Sequence, residues 1–230
     1  MNRTTAPARK PLSLAAVLVS ALLGVALASG AAPALGTPMA GHPHLQASSA
    51  TAARAAFHDQ MRRLWEDHVT WTRLAIVTFA DGSASFPATA DRLLQNQRDI
   101  GDAIAPFYGQ AAGDRLTTLL REHITIAVEV LQAAKAGDTT AFDAALTRWY
   151  ANGNAIADFL AAANPAAWPQ DLMRSDMKTH LDQTLAEAAH ELHGEYPASV
   201  VDYEAIHAHI LMMADQLSAG VIERFPARFH

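Results

Sequence analysis

The chain contains no cysteine. That absence excludes disulfides, iron–sulfur clusters, thiolate zinc sites, covalent c-type haem attachment and a lipidated cysteine near the N-terminus. Aromatic residues make up only 7% of the chain, whereas half of it is hydrophobic, much of that alanine. Such a composition suits helix packing better than sheets. No stretch alternates with the period of two that marks a strand. There is no G-x-S-x-G elbow and no Walker A loop, and the glycines are scattered or stand at the ends of helical runs, so nothing cradles a phosphate.

What is present begins with a targeting pattern. Arg3, Arg9 and Lys10 precede an apolar run from Leu12 to Ala28 broken only by two serines. Ala26-Leu27-Ala28 and Ala32-Pro33-Ala34 follow as A-x-A cleavage sites, so residues 1–34 read as a signal peptide. The run is short for a bilayer span of about 20 residues, and no membrane span is expected after cleavage. The expected location is outside the cytoplasm: periplasmic, extracellular or associated with the envelope. Removing three basic and no acidic residues takes the formal net charge from −6 to about −9. A surface that acidic repels nucleic acid and anionic lipid. A cysteine-free exported protein must also stay folded on packing alone.

Residues 35–51 carry Pro, Gly and Ser without any period and read as a flexible linker. Within it, His42-Pro43-His44 is a loose metal-binding pair or simply two histidines in a tail. Beyond it, apolar residues recur at spacings of three and four. The pattern predicts helices over about Ala52–Phe79, Ala88–Ala105, Ala111–Ala136, Thr140–Ala163, Pro169–His193 and Pro197–Arg224. Gly137 stands where a C′ glycine belongs, and Asp138 or Thr139 can cap the next helix. The Ala88–Ala105 helix is short and polar (Asn96, Gln97, Asp99) and is expected across the outside or along one end. Short loops between the later helices predict antiparallel neighbours. The expected fold is all-α: an antiparallel helical bundle of four to five long helices plus one short helix, over residues 52–226, with 227–230 as a tail.

Four of these helices carry a histidine near mid-length on the apolar stripe: His68, His123, His180, and His207 or His209. If the hairpins turn at Gly137, Pro165 and Tyr196, then His123, the Trp149–Asn152 turn, His180 and Met212 or Met213 fall in one layer. His207 and His209 lie about 5–7 Å off it at 1.5 Å per residue. The height of His68 is left open by the long connection after its helix. Bundles build metal and cofactor sites from inward side chains on facing helices. Imidazole suits Zn, Cu, Ni and Fe, and a Met sulfur selects Cu(I). Glu66, Asp67, Glu122, Asp176, Glu204 and Asp215 stand near enough in sequence to serve as ligands or as their hydrogen-bond partners. The competing reading makes each histidine a core-rim residue bonded to a carboxylate or carbonyl.

Two Glu-x-x-His motifs, Glu187–His190 and Glu204–His207, match the spacing of di-iron carboxylate bundles. His190 lies near its helix end, and Glu66 and Glu122 would have to supply the remaining glutamates. Trp65, Trp71, Trp149 and Trp168 either line a pocket or fill the core. Arg73, Arg148 and Arg174 are candidate anion binders that sequence alone does not bring together.

The strings LWEDHVTWTR, RLLQNQRDIGDAI, PFYGQAAGDRL, EHITIA, AAKAGDTTAFDAA, RWYANGNAIADFLAAANP and HILMMADQLSAGVIERFP are similar to a bacterial helical family of uncharacterised function. The resemblance covers nearly all of residues 60–226. Some of its members carry an acetylglutamate-kinase label, but such a kinase would show an α/β pattern with glycine-rich phosphate loops, and this sequence shows neither. The family places an Asp or Glu directly before the third histidine, where this chain has Thr179.

The expectation is therefore an exported protein that binds a metal ion (Cu, Zn or Fe) or a small ligand. The first ligands would be His68, His123 and His180, with His207, Glu66, Glu122, Met212 and Asp215 as further candidates. The alternative is an envelope structural or interaction module without a cofactor. A third reading is an enzyme with Glu66 or Glu122 as general base beside a histidine.

Overall fold

A computed structural model describes residues 43–229, with side chains from Ser49 onward. The signal segment, residues 35–42 and the side chains of the His42-Pro43-His44 pair lie outside what is so described. Among the described residues the fold is all-α, with six helices and no strand. They are α1 (Pro43–Ala80), α2 (Phe86–Tyr108), α3 (Gln110–Ala136), α4 (Thr139–Ala163), α5 (Gln170–Leu192) and α6 (Tyr196–Arg224), followed by a 3₁₀ turn, Pro226–Arg228.

The local signals act where the sequence puts them. Gly137 adopts the left-handed conformation (φ 69°) that closes α3, and Asp138 accepts from the Ala141 N–H at 3.0 Å to open α4. Packing runs between chain neighbours, from α1 on α2 through α5 on α6. Helix α1 also packs along α6 and touches α5. One core joins all six, from Phe57 and Met61 through Ile100, Leu120, Ile156 and Leu181 to Ile210 and Val221. By length and composition α6 is apolar enough to cross a membrane. It nevertheless carries Asp202, Glu204 and Asp215 and packs on α1 and α5.

Three expectations need correction. The short helix is not short: α2 has 23 residues and carries Pro106 inside its last turn. A proline there forfeits one hydrogen bond, while continuing the helix brings Phe107 onto Phe57 and Phe229, at ring-centroid distances of 4.9 and 5.5 Å. Nor does α2 lie outside, since Asn96, Gln97 and Ile100 are fully buried. It reaches α3 at a glycine crossing, where a Cβ on Gly101 would stand 2.6 Å from the Gly113 carbonyl oxygen and one on Gly113 2.7 Å from that of Gly101. Finally, the part of the expected linker from Pro43 onward is already helical, and Phe229 of the expected tail is buried against Phe57.

Candidate functional site

His68 on α1, His123 on α3 and His180 on α5 are all buried, at 2%, 3% and 5% exposure, and they meet. The His68 and His180 ring centroids are 5.8 Å apart, and those of His123 and His180 are 6.2 Å apart. The sequence had left the height of His68 open, and folding sets it beside the other two.

His123 and His68 are held by different devices. Asn152 donates from its amide to the Leu119 carbonyl at 3.1 Å, so its side-chain oxygen is left to accept from His123 Nδ1–H at 3.0 Å. That fixes the tautomer and leaves the His123 Nε2 lone pair free. The Trp149 ring stacks on His123 with a centroid distance of 5.2 Å. His68 lies edge-on to Trp65, at 5.6 Å, and faces the Asn96–Gln97 pair. The Gln97 amide nitrogen has the Leu93 carbonyl at 2.8 Å, Asn96 Oδ1 at 3.2 Å and His68 Nδ1 at 3.2 Å, three acceptors for two hydrogens. Among the described residues, the buried Gln97 Oε1 and His180 Nδ1 have no hydrogen-bond partner. Such groups are uncommon in native interiors and cost about 1–3 kcal/mol each.

Burial pushes all three imidazoles below the ordinary histidine range: His68 to about 3, with the His123 charge adding to the effect, and His123 to about 4, against a raising bond from Asn152. His180 falls well below that range, through burial first and then through His68, His123 and His209. The trio is thus neutral at physiological pH.

The other candidates lie elsewhere. Met212 is 43% exposed, and Glu122 and Glu204 face solvent. His207 and Glu66 form a loose surface pair at 3.5 Å. Asp67 pairs with Arg92 at 3.0 Å. Asp215 is held by Arg62 at 2.7 Å and by His58 at 3.0 Å. Asp176 lies one turn before His180 on α5; its buried Oδ2 has no hydrogen-bond partner among the described residues, and burial raises its pKa. His209 donates from Nε2 to the Asp176 backbone carbonyl at 3.0 Å.

The Glu-x-x-His motifs are not assembled into a carboxylate site. Glu187 and Glu191 instead share Arg73, each at 3.1 Å, while Ser199 donates to Glu191 at 2.6 Å and His190 pairs with Asp202 at 2.5 Å. Glu187 is 1% exposed, and burial raises its carboxyl to about 7 despite Arg73. Sequence reading missed this buried charge cluster. Its signal was the Glu187/Glu191 pair at i, i+4 on the side of α5 that also carries His180 and Thr184.

Among the described residues, no three His, Asp or Glu side chains are oriented to hold a metal ion. No protein-family model matches the chain, and no curated protein or solved structure is significantly similar to it.

Proposed function

We propose that this is an exported helical-bundle protein that holds one transition-metal ion in its core through His68, His123 and His180. The observation that carries this reading is the spacing of the trio. An imidazole bound at about 2.0–2.1 Å sets its centroid about 3.2 Å from the ion, so two such rings stand about 5.2 Å apart at a tetrahedral angle and about 6.4 Å apart when opposed. The two separations from His180, 5.8 Å to His68 and 6.2 Å to His123, fall in that interval. The rings would turn about their own bonds, without helix movement, to aim their nitrogens at one point. The partnerless His180 Nδ1 and the free His123 Nε2 are the lone pairs such an ion would use. With neutral donors and no carboxylate in the trio, the site favours Cu(I), or Zn(II) with an added anionic ligand, over a hard cation. Asp176 is the nearest buried carboxylate in sequence. The contacts between successive helices and the closure of α1 onto α6 support an antiparallel bundle, which puts all three imidazoles at mid-height.

A second reading draws on the finding that, among the described residues, no three His, Asp or Glu form a group that could hold a metal ion. In it, the layer of His68, Asn96, Gln97, His123, Asn152 and His180 serves only to fix helix register in a cofactor-free envelope module. Elemental analysis of untagged mature protein, followed by titration with Cu, Zn, Fe and Ni, separates the two. Stoichiometric metal that disappears in the His123→Ala/His180→Ala double variant supports the site. No metal at micromolar ion, from normally folded protein, overturns it in favour of the register-fixing layer.

A further inference from the structure

Beside the histidine layer lies a cavity of ≈ 50 Å³ whose lining comes from α1, α2, α3, α4 and α5. The residue four positions on from each histidine contributes to it: Thr72 after His68, Ala127 after His123 and Thr184 after His180. Trp149, which stacks on His123, lines it as well. Four residues make about one helical turn, so the cavity sits one turn above the three imidazoles. Its wall is apolar. The two threonine hydroxyls donate back to the carbonyls of His68 and His180, each at 2.8 Å, which spends their polar capacity inside their own helices.

We infer that this cavity binds a small apolar molecule of diatomic size, such as dioxygen or nitric oxide, one turn from the three-imidazole layer. Apolar cavities stay dry because a water there lacks the two to four partners it needs; room for one water takes only about 10–15 Å³, whereas a cavity of about 150 Å³ accepts benzene. This pocket is partly open, and its interior space of ≈ 50 Å³ is large enough for a diatomic gas or a xenon atom. The inference stands apart from the metal reading, since the imidazoles lie one turn away and none of the three lines the pocket.

Xenon is the probe, applied to metal-free protein so that the cavity and the metal site can fail separately. Crystals under xenon pressure, or xenon NMR in solution, are expected to show one bound atom between Ala75 and Ala188. Filling the space by Ala188→Leu or Ala75→Leu is expected to abolish that site, with helicity checked by circular dichroism; the two variants stand in for each other should one fail to fold. Absence of xenon from the wild-type cavity, or unchanged binding in a folded filled variant, overturns the inference. Xenon bound in a protein that takes up no metal leaves the gas site standing and removes only the ion.

Discussion

His123 on α3 donates its Nδ1 hydrogen to the side-chain oxygen of Asn152 on α4 at 3.0 Å, and Asn152 reaches back to the Leu119 carbonyl on α3 at 3.1 Å. One amide thus spans the helix pair and sets which nitrogen of His123 carries the hydrogen. Replacing Asn152 by Leu keeps most of the volume but orphans the imidazole N–H, a loss of about 1–3 kcal/mol. Urea denaturation should show it as a lower midpoint with an unchanged slope. Imidazole ¹⁵N spectra should show His123 as the single Nδ1–H tautomer in the wild type and as a mixture in the variant. An unchanged tautomer would mean that Asn152 does not orient the ring.

The three buried imidazoles make a pH prediction for the metal-free protein. Their folded-state values lie below the ordinary 6.5, at about 4 for His123 and about 3 for His68. The unfolded chain therefore takes up protons as pH falls through 6.5, while the folded chain does not until far lower. Their contribution to stability is complete above pH 6.5 and is lost as pH falls, by about 1.4 kcal/mol per pH unit for each histidine. Glu187 runs the other way: its value is raised to about 7, so its contribution is lost as pH rises from about 4.5 through 7. Three groups against one give a net loss of roughly 3 kcal/mol per pH unit on acidification between 6 and 4.5. Chemical denaturation at pH 7.5, 6 and 5 measures it. A flat profile would show that the imidazoles are hydrated or charged in the folded state.

The histidine trio was legible because a helix repeats its face every three to four residues, and mid-helix histidines on an apolar stripe announce themselves. Hairpin arithmetic then placed the Trp149–Asn152 turn level with His123, where the stacking and the Asn152 bond are found. It left Met212 and Met213 open, and since a shift of one position turns a helical side chain by about 100°, only one faces inward: the buried methionine is Met213 and not the candidate ligand Met212. Polar α2 was misplaced for a different reason. Asn96 and Gln97 look like surface residues until their partners, the Leu64 and Leu93 carbonyls and His68, are known. Arg73 stood beside Arg148 and Arg174 as a candidate anion binder without a named partner, because its carboxylate partners lie 114 residues or more away in sequence.

Among the described residues Arg73 is the sole cation that ion-pairs with the buried Glu187 and Glu191, and it joins α1 to α5. Arg73→Met leaves two buried carboxylates without it, a loss of about 3–5 kcal/mol near pH 8. At pH 5 Glu187 is protonated and needs no counter-charge, so the loss should be smaller. Glu187→Gln should remove the component of wild-type stability that declines between pH 5 and 7, leaving the histidine component alone. The test is the difference in unfolding free energy between pH 5 and 8 for the wild type and both variants. An Arg73→Met penalty independent of pH would show that its role is packing rather than charge.

At the α2–α3 crossing, helix propensity and packing pull in opposite directions. Gly113 is helical, and alanine in a helix interior is favoured over glycine by about 1 kcal/mol. In Gly113→Ala, however, the new methyl would stand 2.7 Å from the Gly101 carbonyl oxygen and 2.9 Å from Ala105 Cβ. Backbone cannot step aside as a flexible side chain does, and overpacking of this kind costs about 1–3 kcal/mol. The clash should win: Gly113→Ala melts below wild type, although alanine is the better helix former. Because Asn96 and Gln97 ride on α2 against His68, a displaced α2 should also shift the His68 imidazole resonances while sparing those of His190 on α5. A higher melting temperature for Gly113→Ala would show that the two helices separate freely, and that α2 does not hold His68 in place.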